Sequence, residues 1–227
     1  FPPDVVWDRS YDNAAYWKLG TRKMGFNSGA GEPRMYWDTN GNAINDLTYE
    51  WDYMKGTMKD TALYQYNAHV AHMMRRAPGF FDTVGYVGDA ASANSSLERA
   101  IPHNLGVKPE MIVIRAFGND AGAGTGFPGY HKNCGNLPSA AASPYTGVSY
   151  NSFKQLGQQA TNSYWAAYST GEEKFGTSTD TATEFYVGTG TETNRLYYSY
   201  MAYMWASCPK ISKVGYYVAT GTDLNID

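Results

Sequence analysis

The sequence is poor in cysteine, in charge and in long apolar runs, and each shortage excludes a class of protein. Cys134 and Cys208 are too few for a disulfide framework and lie in no Cys/His cluster, while whether they pair with each other stays open. With 18 Lys and Arg against 21 Asp and Glu, the net charge of -3 offers no basic field to a phosphate backbone. No apolar stretch approaches the ~20 residues of a membrane span. We therefore expect neither a nucleic-acid partner nor membrane insertion.

The motifs of common enzymes and metal sites are also missing. The sequence contains no Gly-x-Ser-x-Gly elbow, phosphate-binding loop or dinucleotide fingerprint. His69 and His72 are three residues apart in a predicted strand and so point to opposite faces, which is wrong for two ligands of one metal. Residues 38–46 carry oxygen donors in the manner of a calcium loop, but their glycine comes too early, and an Asn/Asp turn is favoured. We expect no catalytic residue, no metal and no cofactor, and hence no enzyme.

What the sequence has in abundance is aromatic residues, 15% of the chain with 20 Tyr and 6 Trp. Runs of strand length are separated by Gly, Pro, Asn and Ser, which favours an all-β fold, an antiparallel two-sheet sandwich of the jelly-roll or lectin-like kind, over an α/β fold. Helical periodicity is weak, with at most one short helix in residues 162–174. His103 and His131 fit hydrogen bonding in turns. The clearest predicted elements are strands at 97–101, 111–115 and 185–187 and a turn at 103–109.

Two segments of similar character, residues 64–88 and 197–218, recur about 130 residues apart. Each is a Tyr-rich run of strand length, then a proline that cannot continue a hydrogen-bond ladder, then a second strand run. Superposing Pro78 on Pro209 also matches Ala71 with Ala202. We therefore predict tandem repeats, in three parts: the C-terminal part of a first β-sandwich at 1–78, a complete second one at 79–209, and the first strand of a following repeat or a C-terminal extension at 210–227.

The succession of motifs in the second unit resembles a known family. His103-Asn-Leu-Gly-Val-Lys-Pro-Glu-Met, then Tyr130-His-Lys-Asn-Cys-Gly, and later Lys213-Val-Gly-Tyr-Tyr are similar to the HNLG-x-x-PEM, YHxxLG and SKVGSYTG motifs of a repeat in uncharacterised tail and fibre-like structural proteins of marine bacteriophages. The resemblance covers residues 80–218. Cys134 stands where the family has Leu, and a Gly-rich stretch after Phe117 enlarges a loop.

The resemblance implies a lectin-like β-sandwich in the virion, at the tail or particle surface, with self-association and contacts to other virion proteins. By analogy with lectin-like modules it also implies adhesion to a bacterial surface glycan. A capsid decoration or filament subunit without any ligand is an alternative. A polysaccharide-degrading tailspike is a weaker one, because no two carboxylates are marked as partners in the sequence.

Aromatic side chains are the candidate ligand-binding residues, because Tyr and Trp in loops stack on sugar rings, whereas in strands they mostly pack across neighbouring strands. Tyr130, Tyr145 and Tyr150 lie in predicted loops and are the candidate glycan-binding residues. The aromatic residues of the last predicted strand belong by default to the core or to a subunit seam: Tyr198, Tyr200, Tyr203 and Trp205.

Overall fold

The computed structural model describes residues 2–10, 18–24, 32–36, 44–46, 49–52, 56–59, 69–90, 98–117, 129–131, 175 and 179–215. These residues form mainly strands, and all the paired strands run antiparallel. Their helical content is one 3-10 turn, Arg22–Met24, and one four-residue helix, α1 (Thr191–Asn194). The all-β prediction is confirmed at this level. None of the helices described is long and apolar enough to cross a membrane.

Five strands form the first sheet, here the N-terminal sheet, in the order β4-β3-β2-β1-β7. They are β1 (Val5–Ser10), β2 (Lys18–Thr21), β3 (Glu32–Tyr36), β4 (Ile44–Asp46) and β7 (His69–Met74). A separate hairpin pairs β5 (Tyr49–Asp52) with β6 (Gly56–Lys59). β1 pairs with a strand on each side, and its Val5 and Val6 are buried, so it forms part of the interior of this sheet.

Four strands form a second sheet, the central sheet, in the order β11-β10-β13-β8. They are β8 (Phe81–Val87), β10 (Met111–Phe117), β11 (Gly129–His131) and β13 (Ser199–Trp205). A further pair joins β9 (Arg99–Pro102) to β12 (Glu184–Val187). β10 and β13 each have a neighbouring strand on both sides. Their β-branched and aromatic side chains are well suited to this interior position in a sheet.

Several sequence predictions for single elements are confirmed. The predicted strands at 111–115 and 185–187 lie within β10 and β12, and the strand predicted at 97–101 is found slightly later, as β9. Residues 103–109 form no strand, and Gly106 there has a positive φ of 75°. The Gly-rich residues 118–128, the expected short helix at 162–174 and Cys134 lie outside the described residues.

Apolar clusters cover both faces of the central sheet, because side chains alternate along each strand. On one face, Ile112, Ile114 and Met204 pack with Ile101 and Phe185 of the β9–β12 pair. On the other face, the side chains that pack together come from the central and N-terminal sheets: Phe81, Met201 and Tyr203 with Val5, Leu19 and Met24. Burying each such side chain is worth roughly 1.5–3 kcal/mol, so both layers contribute to stability.

The two proline corners predicted from the sequence have the same hydrogen bonds. In the first, the Ala77 N–H donates to the Phe81 carbonyl at 2.9 Å, and the Phe81 N–H donates back to the Ala77 carbonyl at 3.0 Å. In the second, Cys208 and Ser212 exchange the same two bonds at 3.0 and 2.9 Å. The third residue of each corner has a positive φ, 77° at Gly79 and 65° at Lys210.

The strands that lead into the corners also end alike. The last residue of β7, Met74, accepts a hydrogen bond from the Asp4 N–H at 2.8 Å, and the last residue of β13, Trp205, accepts one from the Glu110 N–H at 2.9 Å. The same acidic side chains then accept the backbone N–H two residues further along, that of Arg76 at 2.8 Å and that of Ser207 at 2.9 Å. Each acidic residue comes directly after a proline and before a buried strand.

Candidate functional site

The structure places only one of the three candidate glycan-binding residues. Tyr130 lies in strand β11, where it pairs with Ile112 of β10, so its predicted loop position was wrong. The physical reason is that β10 offers a hydrogen-bonding edge and that Tyr is well suited to a strand. Tyr145 and Tyr150 lie outside the described residues.

The most exposed large hydrophobic side chain of the described residues is Tyr197, which sequence reasoning missed. Its side chain is 84% exposed, and its backbone has a φ of 68°, the left-handed region that non-glycine residues rarely adopt. It lies between α1 and β13. The guanidinium of Arg195 lies over the neighbouring Tyr198 ring, with 4.5 Å between the Arg195 Cζ and the ring centroid, in a cation–π contact. The adjacent pair Tyr197-Tyr198 is a sequence signal for this exposure. Successive side chains of a strand point to opposite faces, so the two rings cannot both be buried in one layer.

The backbone of this segment is held against the end of β8. Gly88 donates its N–H to the Tyr198 carbonyl at 2.7 Å and accepts the Tyr197 N–H at 3.1 Å. A Cβ on Gly88 would lie 2.7 Å from the carbonyl carbon of Asn194, and closer still to the Arg195 carbonyl oxygen. Only glycine allows this approach, so Gly88 fixes where the exposed Tyr197 is presented.

Charged side chains flank the same strand end. The Arg99 Nε lies 3.4 Å from an Asp89 carboxylate oxygen, and the Arg99 guanidinium also donates to the Val87 carbonyl and lies 5.9 Å from the centroid of the Tyr86 ring. Burial raises the pKa of the Tyr86 phenol, which stays a neutral donor to the Thr193 carbonyl at 2.7 Å. The term Tyr197 patch denotes Tyr197, Tyr198, Arg195, Asp89 and Arg99.

The Tyr197 patch combines an exposed aromatic ring with guanidinium and carboxylate groups. Such a ring stacks on the apolar face of a sugar, while the charged groups hydrogen bond to hydroxyls. Among the described residues, no group of three or more His, Cys, Asp and Glu side chains is arranged to hold a metal ion. The side chains of the patch can stack on a ligand ring and can form hydrogen bonds or ion pairs with it.

The turn that contains His103 is a structural element. The buried His103 ring stacks on Phe185 at a centroid distance of 6.3 Å, and its Nδ1 accepts the Leu105 N–H at 3.2 Å. Burial lowers the pKa of this imidazole. Asp82 accepts the Asn104 N–H at 2.7 Å, and the Leu105 carbonyl accepts the Gly79 N–H at 2.6 Å. The prediction that His103 takes part in turn hydrogen bonding is confirmed.

No family model matches this sequence, and no match was found among curated proteins or solved structures. The assignment to bacteriophage tail and fibre-like proteins therefore stays a prediction from the sequence motifs.

Proposed function

We propose that this chain is a structural and adhesive protein of a bacteriophage particle, of the tail or tail-fibre type, and that it binds a host-surface glycan through the Tyr197 patch. The observation that supports adhesion is the exposure of the Tyr197 ring on a backbone that Gly88 holds in place. Because this backbone is already ordered, little conformational entropy is lost when a ligand binds. The motif resemblance supports the virion location.

The proposed architecture is a tandem array of β-sandwich units of the lectin-like kind, divided at residues 1–78, 79–209 and 210–227. The two corners support it, because Ala77 with Phe81 and Cys208 with Ser212 close the same five-residue turn. The matching contacts of Asp4 and Glu110 extend the likeness to the preceding strand ends. Repeated units of this kind suit an elongated particle component.

A ligand-free decoration or filament subunit is the second candidate function. The observation that favours it is the exposure of two apolar side chains on β7, the end strand of the N-terminal sheet: Val70 is 43% and Met73 51% exposed. Apolar groups on a sheet edge are typical of surfaces that associate.

The test of adhesion is binding to an array of bacterial surface polysaccharides. We expect the native chain to bind at least one glycan, and Tyr197→Ala to weaken that binding about 5- to 150-fold, as stacking energies of roughly 1–3 kcal/mol imply. Tyr197→Phe keeps the ring and should keep most of the affinity. Ile211→Ala is the matched control, because Ile211 is also an exposed large side chain, 70% exposed, in the second corner.

Two results would reject adhesion through this patch: no binding of the native chain to any glycan, or equal binding by Tyr197→Ala and the native chain. The virion location has its own test, which is antibody labelling of intact particles in the electron microscope. Label confined to the soluble fraction of lysed cells would reject it.

A further inference from the structure

Residues 195–198 form a tight turn that carries Tyr197 near its tip. The Tyr198 N–H donates to the Arg195 carbonyl at 3.1 Å, which closes the turn. Tyr197 is the third of the four residues, a position at which one common turn type requires the positive φ that is observed. Arg195 and Tyr198 are therefore neighbours at the base of the turn, where the guanidinium lies over the Tyr198 ring. The turn thus places a guanidinium beside the residue with the exposed ring.

Side chains from two neighbouring segments hold Arg195 in this place. The Tyr200 hydroxyl, which is buried, accepts the Arg195 N–H at 2.9 Å. One residue earlier, the buried Asn194 side chain accepts the Asp89 N–H at 3.1 Å and donates to the Gly188 carbonyl at 3.0 Å. The backbone that carries the guanidinium is therefore ordered before a ligand arrives, which lowers the entropic cost of binding.

The two arginines of the patch differ in how their donors are used. Arg99 is engaged within the protein, because its Nε lies 3.4 Å from an Asp89 carboxylate oxygen and its guanidinium donates to the Val87 carbonyl. Arg195 packs against the Tyr198 ring, and none of the ion pairs among the described residues includes it. A guanidinium that stacks through its face keeps the N–H donors at its edge available for a ligand.

The charge of the patch is opposite in sign to that of the chain. Two guanidinium groups and one carboxylate leave the patch with a surplus positive charge, whereas the whole chain carries -3. Because Asp89 is paired with Arg99, the surplus charge belongs to Arg195. At physiological salt, charges more than about 8 Å away act only weakly on a ligand bound here. The group that best complements a guanidinium edge is a planar carboxylate, which accepts two parallel hydrogen bonds.

We propose that the sugar bound at the Tyr197 patch is an acidic one, with a carboxylate on its ring, and that Arg195 binds this carboxylate while Tyr197 stacks on the ring. This inference rests on the proposed glycan binding and adds the class of the ligand. Tyr197 provides affinity for sugar rings of any charge, because stacking does not depend on the carboxylate. Arg195 provides the specificity, because its ion pair forms with an acidic sugar alone.

The first test compares acidic polysaccharides with their carboxyl-reduced forms. Alginate, polygalacturonate, hyaluronate and polysialic acid are each immobilised beside the same polymer with its carboxylates reduced to alcohols. We expect the native chain to bind at least one acidic polymer and to bind the reduced form of that polymer about tenfold more weakly, as the loss of a hydrogen bond to a charged group implies. Added salt should reduce the difference.

The second test identifies the group that recognises the carboxylate. Arg195→Gln removes the charge and should weaken binding of the acidic polymer about tenfold, while binding of the reduced polymer stays unchanged. The substitution and the reduction remove the same contact, so their effects should not add. Arg195→Lys keeps the charge and should still prefer the acidic polymer. Arg75→Gln is the matched control, because Arg75 is exposed just after β7 and outside the patch, and it should bind like the native chain.

Four outcomes would overturn the proposal. Equal binding of an acidic polymer and its reduced form by the native chain means that the carboxylate is not recognised. Equal losses in Arg75→Gln and Arg195→Gln mean that net charge alone is responsible. Binding of neutral glycans alone, weakened by Tyr197→Ala, would reject the acidic ligand and leave adhesion standing. No binding of any glycan would reject both this inference and the proposed adhesion.

Discussion

Asp180 is a partly buried carboxyl group just before β12. It accepts the Tyr186 N–H at 3.1 Å, yet burial raises its pKa from the usual value to about 6, against the opposing effects of that hydrogen bond and of Lys108. The folded state therefore holds the proton more tightly than the unfolded state does. As pH rises from about 4 to about 6, the unfolded chain loses this proton first, so stability falls over that range and the loss persists above it.

Replacing Asp180 by Asn tests this account of pH dependence. The amide oxygen can still accept the Tyr186 N–H, and no charge has to be buried. We expect Asp180→Asn to raise the free energy of unfolding at pH 7 by about 1–2 kcal/mol, less than the full pKa shift implies because the group is partly exposed to solvent. Near pH 4 the two proteins should be equally stable. Urea unfolding between pH 4 and 7 measures the free energy of unfolding of both proteins. The same change of that free energy with pH in the two proteins would contradict the prediction.

Single residues also show where sequence reasoning stops. Tyr200 and Tyr203 were predicted to lie in the core or at a seam, and both are buried in the core. Tyr197 was overlooked, because its exposure depends on a left-handed backbone and on the close approach of Gly88, which is distant in sequence. The alternation of residues along a strand predicts which of its faces is apolar. It does not predict where a neighbouring strand that is distant in sequence ends.

At the scale of the element, one glycine lies within β8 and a second directly follows it, and the two differ in the space around them. Gly85 is exposed, and a Cβ there would lie 3.4 Å from the flexible end of Met201. Gly88, one residue past the end of β8, packs against the backbone of Asn194 and Arg195, which has no comparable freedom to move. The two positions therefore form a matched pair for testing the contact that presents the Tyr197 patch.

Gly88→Ala should separate the segment before β13 from the end of β8. Since the added methyl group meets backbone, we expect a loss of about 1–3 kcal/mol in the free energy of unfolding. Gly85→Ala should change stability by less than about 0.5 kcal/mol, as exposed substitutions usually do. Chemical denaturation of both variants gives the comparison. Equal stability of the Gly88→Ala and native chains would show that the close approach is absent in solution.

The strands themselves were predictable because their signal is local. Residues 111–115 form a β-branched run, and they form most of β10. The order of the strands was not predictable in this way: β10 lies between β11 and β13, and Ile112 opposite Met204 joins residues far apart in sequence. Composition and alternation carry no information about which distant run becomes the neighbour.

At the scale of the whole molecule, a polar contact joins the N-terminal sheet to the central sheet. The Thr21 and Tyr203 hydroxyls are buried and 2.7 Å apart, and nearby the Trp7 and Trp205 rings pack with their centroids 6.0 Å apart. Arg115 is buried close to Tyr203: burial lowers its pKa to about 10, which the neighbouring Tyr203 partly offsets. An arginine with this pKa is still charged at neutral pH.

A double-mutant cycle measures whether these two sheets pack in this way. Thr21→Val and Tyr203→Phe each remove one hydroxyl of this buried hydrogen bond, at a cost of about 1–3 kcal/mol each. Together they should cost less than the sum, with a coupling energy of about 1 kcal/mol. Thr181→Val is the control partner for Tyr203→Phe: it is exposed and hydrogen bonds elsewhere, so that pair should be additive. Additive costs for Thr21 and Tyr203 would contradict the packing of the sheets.

The pairing of β8 with β13 has a consequence for how the protein is made. Phe81 lies opposite Trp205 and Val87 opposite Ser199, so β8 leaves the ribosome more than a hundred residues before its strand neighbour. Closing so long a loop delays the pairing, and the nascent chain meanwhile exposes an unpaired apolar strand. The central sheet is completed only after Trp205 has emerged, so among the described strands β8 waits longest for its neighbour during synthesis.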